Sequence, residues 1–198
     1  LALNPMLLVV LAIAAAYKAM TGLVKLASAH EEAARDLAKE TGLNVAQTKQ
    51  MVIESQNVAN QLENQLVASE DILDVQTAMI SNIGNVGMLS AEAAAETAEI
   101  GNAFGYGAEQ AGLVNSTLMS MGVSTTELVD TQREFAADIT KAGANVDQVF
   151  DDITSNTAVV SKYFSGNVTQ LKKAAIEANK LGMSIADMAG VAEKLIDF

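Results

Sequence analysis

From Met6 to Tyr17 every position is apolar. Lys18 ends that run, and Lys25, Glu32 and Lys39 follow at steps of seven. A helix turns about 100° per residue, so these four positions share one face. Asn4 and Pro5 supply an N-cap and a first helical position. The pattern predicts one helix over 1–41, apolar all round at first and amphipathic later, ending near Thr41 with Gly42 as the left-handed cap. A second helix with partial heptads is predicted over 42–83. Val45, Val52, Ala59, Leu62, Leu66, Leu73, Ile80 and Ile83 take core positions, and Thr48, Ser55, Ser69 and Gln76 take the remaining seam. A seam about one third polar makes a weak coiled coil unless several partners enclose it.

Beyond residue 83 the pattern shortens. Gly84, Gly87, Gly101, Gly105 and Gly107, with Gly112 just after, make 84–122 a glycine-rich region of hinges or close helix approaches around a short helix from Ser90 to Ile100. The remainder, 123–198, reads as short helices, with helices expected over 108–121, 125–141, 146–163, 168–181 and 185–198. Their joints share a signature: glycine, one residue, Asn or Ser, then a residue three further on that closes a capping box. It occurs as Gly42-Leu43-Asn44 to Gln47, Gly122-Val123-Ser124 to Glu127, Gly143-Ala144-Asn145 to Gln148, and Gly182-Met183-Ser184 to Asp187. The fold expected is all-α: an extended series of helices joined by Gly-Asn/Ser turns, with coiled-coil-like packing between copies.

Composition agrees with that class. Half of the chain is apolar but only 4% is aromatic, with one Pro and no Trp. Such a chain suits helix contacts lined by Ala, where small side chains let backbones approach. It suits a thick aromatic core poorly. The net charge of −12 is uneven: residues 51–161 hold sixteen acids against two bases, Arg133 and Lys141. That stretch repels nucleic acid, so no specific nucleic-acid partner is expected. The absence of Cys excludes disulfides and thiolate chemistry.

Met6–Ala27 has the length of a membrane span, but Lys18, Thr21, Gly22 and Lys25 interrupt it. It reads first as a helix buried against partner helices, shielded by copies of the chain, and second as a conditional membrane segment. No basic region precedes it, as a secretory signal requires. The start at Leu1 and the end at Phe198, inside a helical pattern, read as cut edges of a longer protein.

Candidate chemistry is sparse. His30 stands alone beside Glu31 and Glu32, without the further ligands zinc needs. Gly105-Tyr106-Gly107 carries Gln110 where a dinucleotide fingerprint has its third glycine. Asp151 and Asp152 are adjacent and splay apart on a helix, which predicts a solvated face. Asn115-Ser116-Thr117 and Asn167-Val168-Thr169 match the short glycosylation pattern. The sequence therefore nominates no catalytic, cofactor-binding or metal-binding residue, and the expectation is a non-enzymatic protein without cofactor.

The last forty residues carry a resemblance. Ile153 to Thr157, Tyr163 to Asn167, Leu171 to Ala175, Glu177-Ala178-Asn179-Lys180-Leu181-Gly182-Met183-Ser184 and Val191-Ala192-Glu193-Lys194-Leu195-Ile196-Asp197-Phe198 resemble a segment of the tail tape measure proteins of large contractile-tailed phages. The apolar start from Asn4 to Leu8 is similar to that family's hydrophobic stretch. The resemblance implies a helical protein of three or six copies in the tail lumen of the virion, setting tail length. It implies tube and baseplate hub proteins as partners, and contact with the host envelope at genome ejection. The rival reading is a membrane-active, pore-forming helical protein that inserts 6–27. A signalling coiled coil is disfavoured by the glycine joints.

Overall fold

The computed structural model describes residues 28–62, 66–84 and 89–196. The expected helix start at Asn4-Pro5, the apolar run Met6–Tyr17 and the 6–27 segment lie outside the described residues. Among those described there are ten helical segments and no strand. They are α1 (28–41), α2 (Val45–Gln61), α3 (Ser69–Ile83), α4 (Ala91–Phe104), α5 (Ala108–Ser120), α6 (Leu128–Lys141), α7 (Val146–Ser155), α8 (Thr157–Phe164), α9 (Val168–Lys180) and α10 (Ile185–Ile196). The all-α class holds.

The chain divides into two compact units, one ending at Ile53 and one from Glu54. In the first, α1 meets the start of α2 at Gly42, which takes φ +70°. Asn44 and Gln47 close a reciprocal capping box. The Gln47 N–H donates to Asn44 Oδ1 at 2.9 Å, and the Asn44 N–H donates to Gln47 Oε1 at 3.3 Å. Ala34, Leu37, Leu43, Met51 and Val52 are buried. Thr48, one of the polar seam positions, is buried with them, and its hydroxyl donates to the Ala34 carbonyl at 2.7 Å.

In the second unit α5 packs against α3, α4, α6 and α7, while α9 packs on α6, α7, α8 and α10. A contiguous apolar core runs from Val67 to Ile185. Much of it is small: Ala91, Ala94, Ala95, Ala98, Ala108 and Ala111 are all buried. Gly101 and Gly112 mark the closest approaches. A Cβ on Gly112 would sit 2.7 Å from the Val75 carbonyl oxygen, and one on Gly101 would sit 2.3 Å from that of Gly107. The aromatics are few but concentrated. Tyr106 and Phe135 both pack edge-on to Phe150, at centroid distances of 4.9 and 5.2 Å. Three of the chain's eight aromatic residues thus supply a focused aromatic centre for this unit.

Three expected helix boundaries are corrected. The 42–83 helix is two helices, because the chain leaves helical geometry after Gln61 and re-enters at Ser69. A capping contact starts the second one, the Ala68 N–H donating to Asp71 Oδ2 at 2.7 Å. Val45 and Leu66, two of the expected core positions, are 47% and 55% exposed. The 146–163 helix divides at Asn156. Its side chain donates to the Asp152 carbonyl at 2.8 Å and holds the backbone at φ −117°, ψ 37°; Asn side chains compete in this way with helix continuation. Third, α6 starts at Leu128 rather than near Thr125. Ser124 does not cap it; the Ser124 hydroxyl donates to Glu127 Oε2 at 2.6 Å within a turn whose Glu127 N–H donates to the Ser124 carbonyl.

The glycine joints themselves are present. Gly122, Gly143 and Gly182 have φ of +95°, +73° and +67°. Each is followed by a residue whose N–H reaches back five positions: Val123 to Leu118, Ala144 to Ile139 and Met183 to Ala178, at 3.1, 3.1 and 2.9 Å. This is the Schellman bond that satisfies the last carbonyls of a helix. Gly182→Ala is expected to cost about 1–2 kcal/mol, because a Cβ in the left-handed region meets the following carbonyl. Urea denaturation checks this; an unchanged or higher stability would mean that the helix tolerates continuation through residue 182.

Candidate functional site

The densest arrangement of cross-linking polar side chains joins α7 to the α9–α10 joint. Asn145 caps α7 by accepting the Gln148 N–H at 3.0 Å. Gln148 does not return the bond, contrary to the capping box that the sequence pattern predicts. Asn179 on α9 takes over: its Oδ1 accepts the Asn145 N–H at 3.2 Å, and its Nδ2 donates to Gln148 Oε1 at 3.3 Å. In the other direction Asp152 on α7 accepts the Ile185 N–H at 2.7 Å, capping α10 from a neighbouring helix. Ser184 and Asp187 close the local box, with the Asp187 N–H on Ser184 Oγ at 3.0 Å and the Ser184 N–H on Asp187 Oδ2 at 3.1 Å. These groups border an open crevice of about 270 Å³ lined by Gln148, Asp152, Asn179, Gly182, Met183 and Ser184.

Asp152 therefore departs from the expected solvated face. Asp151 is exposed, but Asp152 is half-buried and bonded to α10 and to Asn156. Burial pushes its carboxyl above the usual carboxylate range, and the nearby charge of Asp187 adds to that. The Ile185 N–H opposes both. Asp187 is held below the range by the Ser184 N–H and hydroxyl. The carboxylates, amides and N–H groups around the crevice satisfy one another. Their chemistry is that of a helix clamp.

A second cluster ties α6 to α9. Lys172 keeps only 15% of its side chain exposed and donates to Glu134 at 2.9 Å and to Asp138. The hydrogen bond from Lys172 holds Asp138 below the usual carboxylate range. Burial works against the Lys172 ammonium, but its bonds to Asp138 and Glu134 outweigh it and raise its pKa. The depressed Asp138 contributes stability that is present above its unfolded pKa and lost as pH falls through the folded one. The raised Lys172 contributes stability that is present below its unfolded pKa and lost as pH climbs through the folded one. The stability difference between the parent chain and Lys172→Met is thus expected to be flat across neutral pH and to shrink at both extremes. Denaturation midpoints across the pH range check it, and a difference that grows on acidification would contradict it.

The other singled-out residues do not converge. The imidazole Nε2 of His30 is buried without a hydrogen-bond partner, and the adjacent Glu31 lies 3.6 Å from Arg35 and 3.8 Å from Lys49. Among the described residues no three His, Asp or Glu side chains are grouped to hold a metal ion. Gly105-Tyr106-Gly107 is the α4–α5 joint, with both glycines at positive φ. Tyr106 is buried against Phe150, and burial pushes its hydroxyl far above the usual phenol range, with Gln132 offsetting part of the rise. Gln110 donates to Thr154 at 2.8 Å and so links α5 to α7. Asn115 is fully buried, out of reach of glycosylation, while Asn167 caps α9 by accepting the Gln170 N–H at 3.0 Å.

Sequence reasoning missed the role of Asn179, Asp152 and Lys172. Nothing local to these residues signals it, since each acts across more than thirty residues of chain. Among the described residues no helix is long and apolar enough to cross a membrane. Comparison of the chain with protein-family models, with curated proteins and with solved structures gives no match in any of the three.

Proposed function

We propose that this chain is a structural segment of a phage tail tape measure protein, working by helix packing and not by catalysis. What supports this reading most is the resemblance of its last forty residues, which fall on the helix-capping joints of α7 to α10. The Asn179-to-Ser184 phrase that carries the resemblance includes the α9–α10 joint and one half of the α7 clamp. The acidic surface is in keeping with it. Every described Asp and Glu between 51 and 161 is exposed or half-buried, and like charges repel passing DNA within about a Debye length. Several copies of the chain, the tail tube and the baseplate hub are its proposed partners, and the tail lumen is its proposed place.

The fold refines how such a segment acts. A stretch of continuous helix encodes length at about 1.5 Å per residue. The longest complete helix among the described residues, α2, has 17 residues, and the helices of the second unit fold back on one another. That unit works as a compact station on the ruler. In-frame removal of 54–198 from the encoding gene tests this by electron microscopy of the resulting tails. The expected outcome is a shortening well below the roughly 220 Å that the deleted residues would span as one helix, together with loss of infection. Tails of parental length that infect normally would overturn the assignment.

A further inference from the structure

Three consecutive helix interfaces each carry one buried carboxamide. From α3, Gln76 Nε2 donates to the carbonyl of Leu89, in the lead-in to α4, at 2.9 Å. At α4–α5, Asn115 Nδ2 donates to Thr97 Oγ1 at 3.0 Å, and that hydroxyl in turn donates to the Ala93 carbonyl at 2.8 Å. At α5–α6, Gln132 Nε2 donates to the Ala111 carbonyl at 3.1 Å. Gln76, Thr97, Asn115 and Gln132 are at most 2% exposed. In each carboxamide an amide hydrogen is used across the interface, while Gln76 Oε1 and Asn115 Oδ1 make no hydrogen bond.

That pattern is costly for stability alone. A buried acceptor left without a donor forfeits its hydration, and an apolar side chain of the same shape would not. The surrounding packing suggests what the cost secures. Around α4 and α5 the buried positions include Ala94, Ala95, Ala98, Ala108 and Ala111 beside Ile100, Val114 and Leu118, with Gly101 and Gly112 at the closest approaches. Away from Gly101 and Gly112, where a methyl would already clash, sliding by one turn exchanges one alanine for another. A buried amide tolerates no such slip, because it must find its one acceptor or stay unpaired.

We propose that Gln76, Asn115 and Gln132 are register pins: they select one alignment of helices α3 to α6 and accept reduced stability in exchange. A single buried polar residue in a coiled-coil seam fixes alignment by the same physics. Because each pin bridges successive helices, the three together fix the order in which α3, α4, α5 and α6 stack.

The test uses the full 198-residue chain. Asn115→Leu combined with Thr97→Val removes one pin with both of its partners and preserves shape; Gln132→Met removes a second independently. Thermal unfolding and amide nuclear magnetic resonance spectra are recorded for each. The expected result is a midpoint equal to or above that of the parent, with a second set of resonances or severe broadening for the amides of the two helices involved. One sharp set in both variants would overturn the proposal, since alignment would then not depend on the pins. Failure of both variants to fold would overturn it equally, since the carboxamides would then serve stability.

Discussion

Replacing Phe150 with Ala is expected to remove about 3–5 kcal/mol of stability, the range for deleting a fully buried aromatic ring. Phe150 is fully buried on α7, with Tyr106 at 4.9 Å on one edge and Phe135 at 5.2 Å on another. Tyr106 belongs to the α4–α5 joint and Phe135 to α6, so this ring ties three parts of the second unit together. Truncation leaves a cavity between two aromatics, one fixed by the α4–α5 joint and one by α6, that cannot collapse into it. A domain of ordinary stability has about 5–15 kcal/mol to lose, so the variant is expected near the edge of folding at 37 °C. Urea titration checks this, with Phe150→Leu as the milder comparison. A loss below about 1 kcal/mol, the typical effect of an average substitution, would mean that the ring is not the centre of the core.

Gly112→Ala is expected to destabilise by about 1–3 kcal/mol, against the normal direction for glycine inside a helix. Elsewhere in a helix the added methyl helps by up to about 1 kcal/mol. At Gly112 it would meet the Val75 carbonyl oxygen at 2.7 Å and the Ala78 Cβ at 2.9 Å. The backbone oxygen belongs to α3 and cannot swing aside as a flexible side-chain end does, so the two helices must separate. Gly190 on α10 is the control, because a Cβ there meets nothing within 4 Å. Gly190→Ala is expected to stabilise by about 0.5–1 kcal/mol. Opposite signs at the two helical glycines would show that close approach, and not helix propensity, decides the outcome at Gly112. A stabilising Gly112→Ala would contradict the α3–α5 packing.

The sequence made the joints legible because their chemistry is local. Gly42, Gly122, Gly143 and Gly182 all take positive φ, and each sits within five residues of the groups it serves. Gly166 escaped the signature because Asn167 follows it directly, yet it takes φ +74° and Asn167 still caps α9. The break at Asn156 was hidden because Val149, Ile153 and Val160 keep helical phase across it. The break before Ser69 was hidden in the same way by Leu62, Leu66 and Leu73. Periodicity reports which face is apolar and is silent on where the chain turns back while keeping that phase.

Long-range roles were the least legible. The sequence left Gly101 and Gly112 open between hinge and close approach, and only the position of the facing backbone decides. Gln76 was readable as a polar seam position, but Asn115 stood out only for a glycosylation pattern that its burial forbids. Asn179 and Asp152 look like ordinary surface residues until α7 lies beside α9 and α10. The absence of a convergent catalytic set in the sequence reading left function to resemblance, and the folded arrangement adds a mechanical account to it: caps, clamps and close helix contacts.

The most direct test of the central claim is to look for the chain inside assembled tails. Purified phage particles are treated with protease before and after ejection is triggered, and peptides from 89–196 are quantified by mass spectrometry. The account predicts several copies per tail, protected before ejection and cleaved after it. Absence of these peptides from purified tails, or cleavage before ejection, would contradict it.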